Sequence, residues 1–584
     1  MSETIVKVYV NFQAPKNLMP RDLNSKPLRS KTWWTGKEYY NFSRRAWLRS
    51  EGFTADVFQD RPVIGICNSW SELNNCNAHL KSVAEAVKRG VWRAGGFPLE
   101  FPTISLGEMF MKPTSMLFRN LMSMDVEESI RANPIDGVVL LCGCDKTTPA
   151  QIMGAASADI PAIVVTGGPM LSGQWRNRKL GAGTDGRKLF DLYRTGKLTD
   201  GELCEIEGGL ARSAGHCTVM GTASTMASVA EALGMTLPGC AAIPAPDSRR
   251  LTIAELSGQR IVDMVWEDLK PSDIMTREAI ENAIAVNMAI GGSTNAVVHL
   301  LAIAGRLGID LKLDEFDRIS TRTPCIVNVK PSGEYLMEDL FEAGGVPVVM
   351  KEILPLLHAD AITANGRTIR ENVEGAECWN RDVIRAADNP LSPEGGTVVL
   401  TGNLAPRGAV IKQTAASPHL LQHRGPAYVF ESYKQMHEVI DSPDLPVTKD
   451  TVLVMKGCGP KGAPGFPEWG QIPMPKVLLD QGIHDMVRIS DARMSGTSFG
   501  TVVLHVAPES AAPGPLAAVE TGDEVELDTA GRRLTLHVPQ EEIERRMAAR
   551  PVAPPHYDRG YGWMFLQHVN QADEGCDFDF LRKK

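Results

Sequence analysis

Three features are missing from this sequence, and each absence excludes a class of protein. The 11 cysteines include no C-x-x-C pair, which excludes the usual zinc-ribbon and thioredoxin-type sites. There is no run of Lys and Arg, and the net charge is -9, so we expect no nucleic acid and no membrane surface as a partner. No apolar stretch is long enough to cross a bilayer and the N-terminus lacks the pattern of a secretion signal, so we expect a cytoplasmic location.

The chain is long enough for more than one hydrophobic core. Its 584 residues exceed the usual size of one domain, and 43% hydrophobic and 22% charged residues are ordinary values for a folded protein. The composition changes near residue 390, where Asp, Asn, Pro and Gly cluster. We therefore predict an N-terminal arm over 1–60, an α/β domain over 61–390 and a β-barrel-like domain with a C-terminal tail over 391–584.

The first half alternates between strand and helix patterns. Segment 77–96 has the apolar spacing of a helix. Alternation of this kind predicts a mostly parallel sheet with helices on both faces, an αβα domain. Such sheets bind ligands beyond the carboxyl ends of their strands, where Cys76 and Cys144 fall. Three apolar runs predict the buried strands: 62–67, 137–141 and 161–168.

The pattern changes after residue 390. Short apolar runs separated by Gly and Pro are typical of a β-barrel or sandwich, so we predict a predominantly β second domain. The first 60 residues show aromatic and basic side chains without a clear period, so we expect an irregular arm there. The predicted C-terminal strands are 397–403, 408–413, 427–432, 451–457, 485–490, 501–509, 523–528 and 532–538.

Three cysteines stand in polar loops with unusual neighbours: Cys76, Cys144 and Cys217. They are too far apart in the sequence for a local metal motif. Free cysteine is commonly a small buried hydrophobe, so spacing alone favours burial over a shared metal site.

Six segments favour a shared metal site over simple burial of the cysteines. These segments resemble, in the same order along the chain, segments of the dihydroxyacid and sugar-acid dehydratase family. The resemblance extends from about residue 28 to the C-terminus. The segments LRSKTWW and GHCTVMGTAST, the second of which contains Cys217, look like those of the pentonate branch, the arabinonate and xylonate dehydratases. The Asn74-Asn75 pair differs from the Thr-Pro of many relatives, which leaves the substrate open. The segments are NNCNAH, GCDK, GHCTVMGTAST, GGSTNAVVHL, GPKGAPGFPE and DARMSG.

The resemblance implies an iron–sulfur cluster on the three cysteines. Members of the family bind the cluster at the positions of Cys76, Cys144 and Cys217, and we expect [2Fe-2S] with [4Fe-4S] as the alternative. Three thiolates leave one iron without a protein ligand, so it can act as a Lewis acid. Cys142 is the competing ligand, and we interpret it as structural.

The resemblance also implies a Mg²⁺ site at Glu108, Asp145, Lys146 and Glu468. Oxygen ligands suit Mg²⁺, although any one of these acids taken alone would more simply be a solvated carboxylate. Lysine is a cation and binds no metal, but family members have a carbamate on this lysine, which makes it an oxygen ligand.

The family's catalytic base falls on Ser495, and its substrate loops fall on Ser293 and Thr294. A serine is a poor base unless nearby positive charge stabilises its alkoxide. The same stretch contains Gly496-Thr497-Ser498-Phe499-Gly500, which fits the G-x-S-x-G pattern of serine hydrolases. That motif needs a helix after the serine, whereas a β-rich segment follows, so we do not expect a hydrolase.

The activity implied is that of a hydro-lyase. Removal of water from an aldonate such as L-arabinonate, D-xylonate or D-gluconate gives a 2-keto-3-deoxy acid. The alternatives are a dihydroxyacid dehydratase of branched-chain amino-acid synthesis, which a substrate panel would distinguish, and a non-catalytic iron–sulfur sensor. The resemblance further implies a homo-oligomer, a dimer of dimers.

Overall fold

The computed structural model describes residues 27–550 and 555–583. The strands are β1 (Val63–Asn68), β2 (Phe97–Pro102), β3 (Gly137–Cys142), β4 (Ala162–Thr166), β5 (Gly173–Trp175), β6 (Arg178–Leu180), β7 (Thr397–Leu400), β8 (Gly408–Lys412), β9 (Gln422–Phe430), β10 (Val452–Met455), β11 (Arg488–Ser490), β12 (Val502–Ala507), β13 (Glu524–Asp528) and β14 (Arg533–Leu536).

The helices are α1 (Lys31–Trp34), α2 (Tyr39–Arg49), α3 (Leu80–Arg93), α4 (Arg119–Ala132), α5 (Thr147–Ala158), α6 (Thr184–Arg194), α7 (Asp200–Leu210), α8 (Thr222–Ala232), α9 (Ser248–Glu267), α10 (Pro271–Ile274), α11 (Arg277–Ala289), α12 (Asn295–Leu307), α13 (Leu313–Arg322), α14 (Met337–Glu342), α15 (Gly345–Glu352), α16 (Ile369–Val373), α17 (Tyr433–Val439), α18 (Lys476–Leu479), α19 (Gln540–Ala548) and α20 (Gly560–His568). Within the described ranges, no helix combines the length and apolar composition needed to cross a membrane.

The N-terminal sheet has four parallel strands in the order β2, β1, β3, β4. The three strands predicted from apolar runs are β1, β3 and β4, and every residue in them is buried. β2 has no counterpart among the predicted strands. Its sequence FPLEFP contains two prolines and is only partly buried, as suits an edge strand.

Helix α3 packs on this sheet and crosses α9 at very short distance. Its apolar positions, such as Leu80 and Val87, are buried as its spacing predicts. A Cβ on Gly90 would lie 1.9 Å from the carbonyl oxygen of Glu255 in α9. Only glycine permits this backbone approach, which seals one face of the sheet.

Eight strands form the C-terminal sheet, in the order β14, β13, β9, β10, β11, β12, β8, β7. The sheet nearly closes on itself. Beyond β7, the N–H of Thr401 donates to Arg532 O at 3.0 Å, and the N–H of Leu534 in β14 donates to Thr401 O at 2.9 Å. The α/β fold with a barrel-like β domain, including all eight predicted strands, is therefore confirmed.

The arm is more regular than we expect from its sequence. Residues 31–34 and 39–49 are helical, so the prediction of irregular structure is wrong there, while residues 1–26 lie outside the described residues. Within α2 only Asn41 is buried. A helix with so little buried surface shows no apolar stripe in its sequence.

The C-terminal tail returns to the α/β domain. Phe565 and Val569 share an apolar cluster with Leu117 and Val298 of that domain. Arg119 donates to the carbonyl oxygens of residues 575 and 576 at 2.8 and 2.9 Å. The tail thereby links the barrel to α4 and α12 of the α/β domain.

Candidate active site

Three loops, each with one of the predicted cluster cysteines, meet at the carboxyl end of the N-terminal sheet. Cys76 follows β1, Cys144 follows β3, and Cys217 precedes α8. A Cβ on Gly143 would lie 2.5 Å from Cys76 O, so the first two loops are in contact. The N–H of Gly215 donates at 3.1 Å to the carbonyl of the residue before Cys76. Backbone contacts thus bring together cysteines that are distant in the sequence.

The three thiols lie close to one another, with Cys144 buried and Cys76 and Cys217 partly buried. A hydrogen bond with the Cys144 thiol, together with burial, raises the pKa of Cys76 well above its usual value. Burial and the nearby Asp145 and Cys144 raise the pKa of Cys217 to about 12. Thiolates in such a place need a positively charged partner, and iron is one that thiolates bind. The donor set therefore fits an iron–sulfur cluster.

Neighbouring Cys and His side chains have structural contacts. Cys142 ends β3 inside the main apolar core, where burial raises its pKa to about 12. His79 Nε2 lies 2.8 Å from Gly167 O, and burial lowers its pKa to about 4. His216 Nδ1 lies 3.1 Å from Cys217 O, and burial lowers its pKa to about 3. Both imidazoles are neutral, and both hydrogen-bond to backbone near the cysteines.

Three carboxylates surround Lys146, whose side chain is fully buried. Its Nζ lies 2.6 Å from Asp145 Oδ2, 3.5 Å from Glu468 Oε1 and 3.8 Å from Glu108 Oε2. Asp145 joins this group to the thiols, because Cys144 Sγ donates to Asp145 Oδ1 at 3.3 Å. The four residues that the resemblance implies for Mg²⁺ lie together, next to the cysteines.

The charges in this group depend on one another. Burial raises the pKa of Glu108, and Lys146 opposes that rise. Burial would also raise the pKa of Asp145, but Lys146 lowers it below its usual value. Burial and Arg493 would lower the pKa of Lys146, but the carboxylates raise it. In the described part of the chain, no set of three His, Cys, Asp or Glu side chains is arranged to hold a metal ion. At this site the Lys146 Nζ lies between the three carboxylates.

Sequence reasoning missed the side chains that orient these acids. Arg493 Nη1 and Asn295 Nδ2 donate to Glu468 Oε1 at 3.0 and 3.1 Å. The hydroxyl of Thr114 donates to Glu108 Oε1 at 2.7 Å. Arg493 and Asn295 stand in the segments DARMSG and GGSTNAVVHL, so the resemblance to the family could have indicated them. No such signal pointed to Thr114.

Ser495 lies on a barrel loop inserted between two helix N-termini of the α/β domain. Its half-buried Oγ is 3.0 Å from Thr497 Oγ1 and 3.4 Å from the N–H of Thr497. A Cβ on Gly496 would lie 2.5 Å from Thr222 N, in α8, and 2.8 Å from Ser293 Cβ, just before α12. The positive ends of both helices are thus near this loop, where they favour negative charge.

The predicted substrate residues are deeply buried. Ser293 is 0% exposed and its Oγ is 2.9 Å from Thr222 Oγ1; Thr294 is 1% exposed and precedes α12. They support the Ser495 loop from beneath, and substrate contact stays a prediction. Ser498 is 0% exposed and β12 follows it, so the stretch lacks the strand-to-helix geometry of a hydrolase elbow.

Two family models match the chain. The model described as dihydroxy-acid/6-phosphogluconate dehydratase N-terminal matches residues 61–372, and its C-terminal counterpart matches residues 382–576. The chain belongs to the dihydroxy-acid/6-phosphogluconate dehydratase family. Dehydratases of this family generally use iron–sulfur clusters.

Individual relatives align with almost the full length of this chain. The chain is 54% identical to an L-arabinonate dehydratase of Rhizobium leguminosarum bv. trifolii, over 95% of this chain and 96% of that protein. It is 49% identical to a 6-deoxy-6-sulfo-D-gluconate dehydratase of Pseudomonas putida, with coverage of 95% and 96%. A dihydroxy-acid dehydratase of Caldicellulosiruptor saccharolyticus is 41% identical, with coverage of 92% and 98%.

These findings confirm the resemblance drawn from the six segments, including its pentonate branch. This member of the dehydratase family is an enzyme of the dehydratase type, so the alternative of a non-catalytic sensor is set aside.

Proposed function

We propose that this dehydratase acts on a sugar acid and converts an aldonate such as L-arabinonate, D-xylonate or D-gluconate to the 2-keto-3-deoxy acid. One observation supports this most: the group of thiols and the group of carboxylates, each with one buried and two partly buried members, adjoin through Cys144 and Asp145. A Lewis acid assists departure of the hydroxyl group in such an elimination, and positive charge stabilises the developing enediolate. Adjacent donor sets of these two kinds fit both roles.

Cys76, Cys144 and Cys217 would hold the cluster, with [2Fe-2S] as our proposal. Asp145 and the two glutamates around Lys146 would hold Mg²⁺. When bound, the iron supplies a Lewis acid and Mg²⁺ supplies positive charge. A carbamate on Lys146 would add a negative charge beside three carboxylates, so we expect it only together with the metal.

Ser495 is proposed as the base that removes the proton at C2. The N–H of Thr497 donates to its Oγ, the Thr497 hydroxyl lies within hydrogen-bond distance of it, and two helix N-termini lie behind the loop. These groups stabilise an alkoxide and lower the cost of forming it. Ser293 and Thr294 would act by supporting this loop and the substrate next to it.

The identity of the substrate is tested by a panel. Turnover on L-arabinonate, D-xylonate, D-gluconate and 2,3-dihydroxyisovalerate should be compared on anaerobically prepared enzyme with Mg²⁺. We expect the aldonates to be preferred, because the relatives named for sugar acids share 49–54% identity and the dihydroxy-acid dehydratase 41%. Preference for the branched-chain acid would overturn the proposal.

The base is tested by Ser495→Ala, with Ser498→Ala as the matched control on the same loop. General bases typically contribute about 10²- to 10⁴-fold in rate, so we expect kcat to fall by that order in the first variant and to stay near wild type in the second. The visible spectrum of the cluster should be unchanged in both. Near-normal turnover of the Ser495 variant would refute the assignment.

We also propose a homo-oligomer, a dimer of dimers. Helix α2 presents aromatic side chains to solvent: Tyr39 is 73% exposed, Tyr40 72%, Phe42 60% and Trp47 75%. Such a patch is typical of a protein interface. Light scattering of the purified enzyme should give four times the chain mass of 63.6 kDa, and a monomer would contradict the proposal.

A further inference from the structure

The loop over residues 457–468 ends in Glu468, and residues of the barrel domain hold its backbone by hydrogen bonds. The N–H of Cys458 donates to Asp491 Oδ1 at 2.9 Å, and the N–H of Gly457 donates to Ser510 Oγ at 2.6 Å. Near the other end, Arg493 Nε donates to the carbonyl oxygen of residue 466 at 2.7 Å. The path of this loop decides where the Glu468 carboxylate lies.

Glu509 makes the central contact with this loop. Its Oε2 accepts from the N–H groups of Lys461 and Gly462 at 3.0 and 2.8 Å, and its Oε1 also accepts from Lys461 at 3.0 Å. The side chain is 1% exposed. Burial and the nearby Asp491 raise the pKa of Glu509 to about 7, and the backbone N–H groups oppose that rise.

The C-terminal tail binds Glu509 from the other side. Gln571 Nε2 donates to Glu509 Oε1 at 2.7 Å, and the N–H of Glu509 donates to Gln571 Oε1 at 2.8 Å. The tail also contacts the loop through apolar groups, because Phe565 and Val569 share a cluster with Phe466. Polar and apolar contacts of the tail therefore reach the same loop.

We infer that Gln571 and Glu509 are positioning residues, through which the C-terminal tail sets the loop that places Glu468 beside Lys146. This inference rests on the proposed metal role of Glu468. Metal ligands must be held within a few tenths of an ångström of their working geometry, and their supporting contacts commonly affect metal affinity. A tail residue distant from the acids thus influences the metal site.

The test is Mn²⁺ binding, with Mn²⁺ as a spectroscopic substitute for Mg²⁺, followed by electron paramagnetic resonance on the cluster-loaded enzyme. We expect Gln571→Ala and Glu509→Gln to weaken Mn²⁺ binding by roughly 10-fold or more. The apparent KM for Mg²⁺ should rise in parallel, while kcat at saturating Mg²⁺ and the visible spectrum of the cluster stay near wild type. Gln571→Ala is decisive if Glu509→Gln does not fold, because it removes only the contact of the tail with Glu509 and keeps the Glu509 carboxylate.

Asp136→Asn is the matched control. Asp136 is also a buried carboxylate that accepts from two backbone N–H groups, those of Ser30 and Val63, but at the opposite end of β1. The Asp136→Asn variant should have a lower thermal stability than wild type but the same affinity for Mn²⁺.

A fourth variant, Glu468→Gln, distinguishes the two ways of failing. If it binds Mn²⁺ like wild type, the proposed metal role of Glu468 is wrong. If it loses Mn²⁺ while the Gln571 and Glu509 variants bind as tightly as wild type, the metal role stands and the positioning inference is overturned. Equal weakening in the Asp136 control would also overturn it, since loss of stability alone would then explain the result.

Discussion

At the scale of single residues, two cysteines only two positions apart have different surroundings. Cys142 is the last residue of β3 and its side chain lies in the apolar core. Cys144 lies beyond the strand, where its thiol contacts Cys76 and Asp145. The end of the strand thus separates a core residue from a ligand candidate.

Cys144→Ser and Cys142→Ser form a matched pair for the cluster. We expect the first variant to lose the visible absorption and most of the bound iron, because a serine hydroxyl is a poor substitute for a thiolate ligand. The second should keep both, because Cys142 faces the core. Iron and sulfide content per chain measures the difference, and loss of iron from both variants equally would contradict the ligand set.

His505 should make the stability of the protein depend on pH. This buried side chain has no partner for Nε2 among the described residues, and burial with Arg493 nearby lowers its pKa to about 3. The unfolded chain takes up a proton near pH 6.5, whereas the folded chain does not until about pH 3, so acidification through this window favours unfolding.

His505→Asn should therefore gain relative stability in acid. We compare the free energy of unfolding of the variant with that of wild type at each pH. This difference should be about 1.4 kcal/mol more favourable to the variant at pH 5.5 than at pH 7.5. Asparagine tolerates the backbone φ of 56° at this position. Thermal melting of both proteins at the two pH values measures the change, and a constant difference would show that His505 does not titrate as described.

At the scale of elements, glycines set how closely the cysteine loops approach. Gly143 lies between β3 and Cys144, and its missing side chain makes room for the Cys76 carbonyl. An added methyl group would meet backbone, which cannot rotate away as a flexible side chain can. The two loops would have to separate.

Gly143→Ala is predicted to damage the site although it removes no functional group. Displacement of about 1 Å at a catalytic site can cost on the order of 100-fold in kcat, and we expect a loss of that order with reduced iron content. Gly208→Ala in α7 is the control, since a Cβ there meets nothing within 4 Å. Normal iron content in the Gly143 variant would show that the loops can move apart without loss of the cluster.

At the scale of the whole molecule, the C-terminal tail is bound to the α/β domain by a buried ion pair. Arg306, with a fully buried side chain, donates from Nε to Asp577 Oδ2 at 2.6 Å and from Nη2 to Oδ1 at 3.0 Å. Loss of Asp577 would leave the Arg306 guanidinium with the more distant carboxylate of Glu127, at 3.6 Å, as a partner. We therefore expect a cost near the lower end of the about 3–5 kcal/mol that is typical of a broken buried ion pair.

Asp577→Asn should accordingly lower the melting temperature by several degrees. Asp579→Asn is the control, because Asp579 pairs with His568 at the surface, where its side chain is 66% exposed, and exposed pairs are worth about 0–1 kcal/mol. Calorimetry of the two variants would show the difference. Similar melting of both would mean that the tail contributes little to the stability of the α/β domain.

The α/β and barrel-like architecture could be predicted from the amino-acid sequence, because apolar periodicity reflects which faces must be buried. The sequence also indicated the family, and with it the cysteines and acids that the structure brings together. It did not reveal α2, which buries almost nothing, or β2, whose prolines suit an edge.

The residues that support the acids can be recognised only in the folded protein. Arg493, Asn295 and Glu509 act through hydrogen bonds to groups far away in the chain, as does Gln571. Local sequence patterns report on helix and strand periods and on turns, whereas such contacts exist only after the chain has folded. A polar side chain acquires its role from the donors and acceptors that burial leaves within its reach.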